Sequence, residues 1–194
     1  MYQHTQSWFT GSEISQLAYL HLDNKKPNRI LEIGCFEGLS SVFFADTFLD
    51  HPESQLTCVD PFLHIEANDH APFMLQTEGT RSVVEDNFDF NISHCRNADK
   101  IRVHKITSDA FFSTIESTVH YTFIYVDGCH EPEILRRDLF NSFSALERGG
   151  IMWVDDYLGG DGVTIKNVVD AFFTEQTGLY EIVHSGYQVA LTKT

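Results

Sequence analysis

The sequence predicts a doubly wound α/β fold, a seven-stranded sheet that is mostly parallel and ends in an antiparallel hairpin. Three observations carry this. Short, nearly unbroken apolar runs recur at 30–33, 56–59, 101–106, 121–126 and 151–154, as in strands buried on both faces. Segments with helical spacing lie between them, and strand–helix alternation builds a parallel sheet covered on both sides. At the end, strand-like runs at 180–183 and 187–191 are joined only by His184-Ser185-Gly186. So short a link makes a hairpin, not a crossover.

The elements follow in order. Residues 11–24 read as an added N-terminal helix. The first strand runs into a glycine turn, and 39–49 has helical spacing. Residues 61–79 are rich in His, Asp and Phe and exceed an ordinary strand–helix link. They read as a lid or substrate loop, or else as an insertion without fixed structure. A later helix places Leu135, Leu139, Phe143 and Leu146 on one face. Pro132 suits its first turn, and Gly149-Gly150 should end it and open the fifth strand. The pairs Phe43-Phe44, Phe111-Phe112 and Phe172-Phe173 read as core. No repeat or Pro/Gly/Ser-rich linker divides the 194 residues, so residues 1–194 are expected to form one domain.

Composition narrows the function. Lys and Arg total 13 against 28 Asp and Glu, a net charge of −15. Such a surface repels polyanions, so neither nucleic acid nor an anionic membrane is an expected partner. No apolar run approaches the ~20 residues of a membrane span, and the first residues lack a signal-peptide pattern. Four scattered cysteines without a CxxC pair suit reduced thiols and a cytoplasmic protein, not a zinc knuckle.

The carboxylates are placed informatively. Asp60 closes the second strand, Asp127 the fourth and Asp155-Asp156 the fifth, while Ser108-Asp109 follow the third. In a doubly wound sheet these carboxyl ends form the ligand edge. A single such Asp is as readily a helix cap as a ligand contact. A doublet after an apolar strand calls for a cation or a shared proton. No Lys or Arg adjoins Asp60, Asp127 or Asp155-Asp156, and GxxxxGK[ST] is absent, which disfavours a nucleoside triphosphate. The first turn, Glu32-Ile33-Gly34-Cys35-Phe36-Glu37-Gly38-Leu39-Ser40, has Phe36 where a dinucleotide fingerprint needs its second glycine. With Asp60 suited to a ribose diol, the implied ligand is adenosine-like and carries positive charge.

These residues resemble the class I S-adenosylmethionine-dependent methyltransferases, whose first motif is E-x-G-x-x-x-G. The resemblance spans roughly residues 29–192 and implies a Rossmann-like sheet with a reversed last strand. It implies that S-adenosylmethionine is held by Glu32, Gly34, Phe36, Gly38, Ser40, Asp60, Ser108 and Asp109, with Asp60 at the ribose and Ser108-Asp109 at the adenine. A narrower resemblance is to metal-dependent O-methyltransferases, both catechol O-methyltransferase-like and bacterial sugar- and natural-product-modifying. It rests on Val126-Asp127-Gly128-Cys129-His130 and Trp153-Val154-Asp155-Asp156-Tyr157. It implies a divalent metal, Mg²⁺ or Mn²⁺, on Asp127, Asp155 and Asp156, as suits oxygen-only ligands.

His130 stands where the catechol enzymes carry a lysine base. An imidazole, with a reference pKa of about 6.5, takes up a proton near neutral pH. The alternative role is a helix cap or a support for metal ligands. His64, Asp69 and His70 read as surface residues, and Cys129 as packing against the cofactor. The expected function is metal-dependent O-methylation of a small molecule with neighbouring hydroxyls, sugar or catechol-like; self-association into a homo-oligomer is compatible with it. Two other readings stay open: a metal-dependent hydrolase or oxygenase-like enzyme on the same fold, and a non-catalytic S-adenosyl-ligand-binding protein.

Overall fold

A computed structural model describes residues 1–62, 83–116, 118–159 and 163–194. Its strands are β1 (Arg29–Ile33), β2 (Gln55–Val59), β3 (Ile101–His104), β4 (Tyr121–Val126), β5 (Leu146–Val154), β6 (Tyr180–Ser185) and β7 (Val189–Lys193). They form one seven-stranded sheet in the order β3-β2-β1-β4-β5-β7-β6. β1 to β5 pair in parallel, and β7 runs antiparallel to both β5 and β6. The expected mixed sheet with its terminal hairpin is the one found. Strand order reverses between β1 and β4, which opens a crevice at their carboxyl ends.

The helices are α1 (Glu13–Leu17), α2 (Leu39–Phe48), α3 (Val83–His94), α4 (Ser108–Thr114), α5 (Pro132–Ala145) and α6 (Val163–Glu175). Alternate strand residues face opposite sides of the sheet, and a core lies on each side. Ile30, Phe123 and Trp153 pack with Phe44, Phe48 and Phe88 on one face. Leu31, Ile124 and Met152 pack with Leu139, Phe143 and Phe172 on the other. One ring of each Phe pair (Phe44, Phe111, Phe172) is buried, and the second packs against the same core.

Several boundaries differ from the sequence reading. β5 starts at Leu146, directly after α5, and its pairing with β4 shifts register between Tyr121 and Phe123. Gly149, at φ 80°, therefore serves an irregularity inside the strand rather than a turn before it. β3 stops at His104, and Thr107 caps α4 by accepting from Ala110 N at 3.3 Å. The N-terminal helix is only α1 plus a 3-10 turn at Ala18–Leu20. The N–H groups of His21 and Leu22 both turn back to the Ala18 carbonyl, at 3.0 and 2.9 Å, which closes the turn. Of the 61–79 loop, residues 63–79 lie outside the described residues, with His64, Asp69 and His70. Among the described residues no helix is long and apolar enough to cross a membrane.

Candidate active site

The turn after β1 is built on backbone geometry that side chains resist. Gly34 has φ 84° and Gly38, which caps α2, has φ 80°. A Cβ at Gly34 would lie 2.0 Å from the Asp127 carbonyl oxygen. Glycine alone lets this turn press against the end of β4. Phe36 takes φ 47° within the same turn. Asp60 fixes it from β2: one carboxylate oxygen accepts from Cys35 N at 2.8 Å and Phe36 N at 3.0 Å, and the other from Phe62 N at 2.7 Å.

Glu32 is fully buried beneath the turn, where its carboxylate accepts from the hydroxyls of Ser40 and Ser41 and is approached by the Cys58 thiol at 3.6 Å. Burial pushes its pKa up to about 7, against the lowering effect of those donors. Glu32 thus ties the first turn of α2 to β1.

At the ends of β4 and β5 three carboxylates share hydroxyl and ring donors. Tyr125 OH donates to Asp127 at 3.0 Å and also to Asp155. The second Asp155 oxygen accepts from Gln188 Nε2 and from Asp156 N, both at 2.7 Å. Asp156, left-handed at φ 54°, accepts from Tyr187 OH and lies 3.2 Å from His130 Nε2. Burial, then the charges of Asp155 and Asp156, raise the Asp127 pKa well above the carboxylate range. The His130 contact chiefly holds that of Asp156 down. Gln188 is itself fixed from behind, its carbonyl accepting from Ile14 N at 2.7 Å and Trp153 Nε1 at 2.8 Å.

A cavity of about 490 Å³ opens between these groups, within the range of small-ligand sites. Its wall takes Gly34, Phe36, Ser40, Asp60, Ser108, Asp109, Asp127, His130 and Asp156 from the expected residues, and Cys129 beside them. Glu32, Gly38 and Asp155 stand behind the wall. Glu37, Asp60, Asp109, Asp127, Asp138 and Asp156 all reach it, with no Lys or Arg among the described lining residues. Asp109, in the first turn of α4, is also held by Arg137 Nε at 3.0 Å.

The N-terminal segment crosses the mouth. Buried Glu37 accepts from Thr5 N at 2.7 Å, and Asn91 exchanges hydrogen bonds with the Gln3 backbone at 2.7 and 2.6 Å. This sets Gln6, Trp8 and Phe9 in the cavity wall, with Trp8 stacked on Phe36 at 5.1 Å between ring centroids.

The family model described as "Methyltransferase domain" matches residues 31–157, from the glycine turn to the acidic end of β5. The chain belongs to the class I S-adenosylmethionine-dependent methyltransferases. No curated protein matches it in sequence. Solved structures share its fold at low identity. The O-methyltransferase TomG of Streptomyces achromogenes, involved in tomaymycin synthesis and solved with S-adenosylmethionine, is 17% identical with a TM-score of 0.66. The alignment covers 98% of this chain and 82% of that one. An O-methyltransferase from Bacillus cereus, in complex with S-adenosylhomocysteine, is 15% identical over 98% of this chain and 84% of that one, at 0.66. A Clostridium thermocellum protein described as an rRNA methylase is 15% identical at 0.67, over 98% and 97%.

The methyltransferase cavity suits its cofactor. S-adenosylmethionine carries a sulfonium and an ammonium against a single carboxylate, and the described wall residues offer acids without a Lys or Arg. Asp60 already serves three backbone N–H groups, and carboxylate oxygens accept more than one hydrogen bond each. Asp60→Ala is therefore expected to loosen the turn itself and to weaken S-adenosylhomocysteine binding by about ten- to hundredfold. Calorimetric titration measures this, and unchanged affinity would show that the turn holds without it.

Several site residues escaped the sequence reading. Tyr125 lies two before Asp127 on one strand, so period-two spacing places both on the same face; that signal was present. Asp138 lies between Leu135 and Leu139 on the buried face of α5, a polar residue where an apolar one fits. Trp8, Tyr187 and Gln188 reach the site only through contacts distant in sequence, such as that of Gln188 with Asp155.

Proposed function

We propose that this methyltransferase acts on an oxygen of a small acceptor with neighbouring hydroxyls, a sugar or a catechol-like ring, with His130 as the base. The observation that carries the reading is the His130–Asp156 pair, 3.2 Å apart in the wall of an otherwise acidic cavity. Asp156 orients the imidazole, which takes the hydroxyl proton as the oxygen forms its bond to the methyl carbon and the carbon–sulfur bond breaks. Trp8, Phe9 and Phe36 supply an apolar flank for the acceptor. That O-methyltransferases are among the chains sharing this fold supports the choice of oxygen.

In donor chemistry the acidic cluster fits a hard divalent cation such as Mg²⁺ or Mn²⁺, being all oxygen and mutually repelling. Which of the three carboxylates would hold it is read from their access to the cavity. Among the described residues, the group of three potential ligands drawn within 4.8 Å is Glu32, Cys35 and Cys58, all buried in the core. Asp127 and Asp156 open onto the cavity, whereas Asp155 is turned into Tyr125 and Gln188. Asp127 and Asp156 would therefore hold the ion, and Asp155 would support them from behind. When bound, such an ion supplies positive charge that eases loss of the acceptor proton.

Calorimetry with S-adenosylmethionine, with and without Mg²⁺, followed by a methyl-transfer screen over sugar and catechol diols, tests this reading. Cofactor binding in both conditions, and diol turnover that chelator abolishes, is expected. Turnover in excess chelator would remove the ion and leave the three Asp residues as hydrogen-bond acceptors. Tight cofactor binding with no diol methylated would overturn the acceptor class and favour a non-catalytic binding protein.

A further inference from the structure

We propose that Glu37 is a positioning residue whose buried carboxylate latches residues 3–6 across the cavity and so holds Trp8 against the turn after β1. The proposal rests on the family's cofactor and not on the acceptor or the base. Residues 3–6 belong to no strand or helix, so their backbone N–H groups must find partners elsewhere. Side chains of the glycine turn and of α3 supply them. Glu37 Oε2 accepts from Thr5 N at 2.7 Å and from Gln6 N at 3.4 Å, while its Oε1 accepts from Asn87 Nδ2 at 2.8 Å. Asn91 accepts from Gln3 N at 2.7 Å and donates to Gln3 O at 2.6 Å and to the Glu37 carbonyl at 2.7 Å.

Glu37 and Asn91 are both fully buried. A buried carboxylate is costly unless donors meet its oxygens. Among the described residues, the donors to Oε2 are the N–H groups of Thr5 and Gln6. Lifting residues 3–6 away would strip that oxygen, so the charge itself holds the segment down. Trp8 cannot anchor itself in the same way. It is 63% exposed and rests only one face on Phe36, with the rings 29° apart, so its place is set by the backbone clamped just before it. Glu37 lies between Gly34 and Gly38, and it lines the cavity together with Gln6 and Trp8. One side chain thus joins the turn that meets the cofactor to the segment that covers it.

The chain has two tryptophans, and Trp153 is fully buried, so acrylamide quenching of fluorescence reads Trp8. In the ligand-free protein, Glu37→Ala should make Trp8 more readily quenched. Thr5→Pro, which removes the N–H and leaves the carboxylate in place, should do the same from an exposed position. Glu37→Gln keeps a carbonyl oxygen for Thr5 N and should stay near the wild type. Stopped-flow release of S-adenosylhomocysteine should be about tenfold faster from Glu37→Ala and Thr5→Pro, the worth of one hydrogen bond to a charged group. Trp8 quenching in Thr5→Pro equal to that of the wild type overturns the latch even if Glu37→Ala fails to fold. Release from Thr5→Pro at the wild-type rate overturns its bearing on the cofactor.

Discussion

His130→Ala is expected to lower turnover by about 10²–10⁴-fold, the usual worth of a positioned general base, while S-adenosylhomocysteine affinity stays nearly unchanged. The split follows from where the ring sits. His130 belongs to the link between β4 and α5, half-exposed at the cavity wall, and its Nε2 faces Asp156. Removing it withdraws a proton acceptor without touching the glycine turn. On the proposed role, protonated His130 cannot accept the hydroxyl proton, so the acid limb of the pH–rate profile should vanish in His130→Ala. His130→Lys should recover part of the rate if the lysine of the catechol enzymes and this imidazole share one task. Normal turnover by His130→Ala would make the histidine a cap for α5 and leave the proton to water or another group.

Gly34→Ala is expected to abolish cofactor binding and to destabilise the fold by about 2–5 kcal/mol. Left-handed backbone costs roughly 1–2 kcal/mol for a residue with a Cβ, and overpacking adds about 1–3 kcal/mol. The new methyl would run into the Asp127–Gly128 peptide: Asp127 O at 2.0 Å, Asp127 C at 2.6 Å and Gly128 Cα at 2.7 Å. None of these can swing away as a side chain does. Relief requires parting β1 from β4 where Asp127 N donates to Ile33 O at 2.8 Å, which would displace Asp127 as well as the turn. Gly38→Ala is the control. Its nearest neighbours would be side-chain atoms, the Phe88 ring at 3.0 Å and Ile92 Cδ1 at 3.7 Å, so the cost should stay near the ~1–2 kcal/mol of backbone strain. Chemical denaturation separates the two, and equal losses would discount the backbone clash.

The strands were legible because burial on both faces leaves unbroken apolar runs, and an acid where such a run stops is visible in one dimension. That logic found Asp60, Asp127 and Asp155-Asp156, and the glycines of the first turn, whose left-handed backbone is nearly exclusive to that residue. It misjudged Gly149-Gly150, since a glycine pair marks a turn and a strand irregularity alike, and pairing with β4 decides between them.

Sequence by itself determined the fold, the ligand edge and the sign of charge a ligand must bring, because these depend on where runs begin and end. Which way each carboxylate faces was decided only in three dimensions. Asp155 turns away from the cavity because Tyr125 and Gln188 reach it from other strands. Asp109, though it lines the cavity, is also paired by Arg137, 28 residues later. Asp138 is enclosed with an unmet oxygen because α5 packs its buried face against the sheet. A side chain's partners depend on which distant segments fold against it, and spacing along the chain carries no record of them.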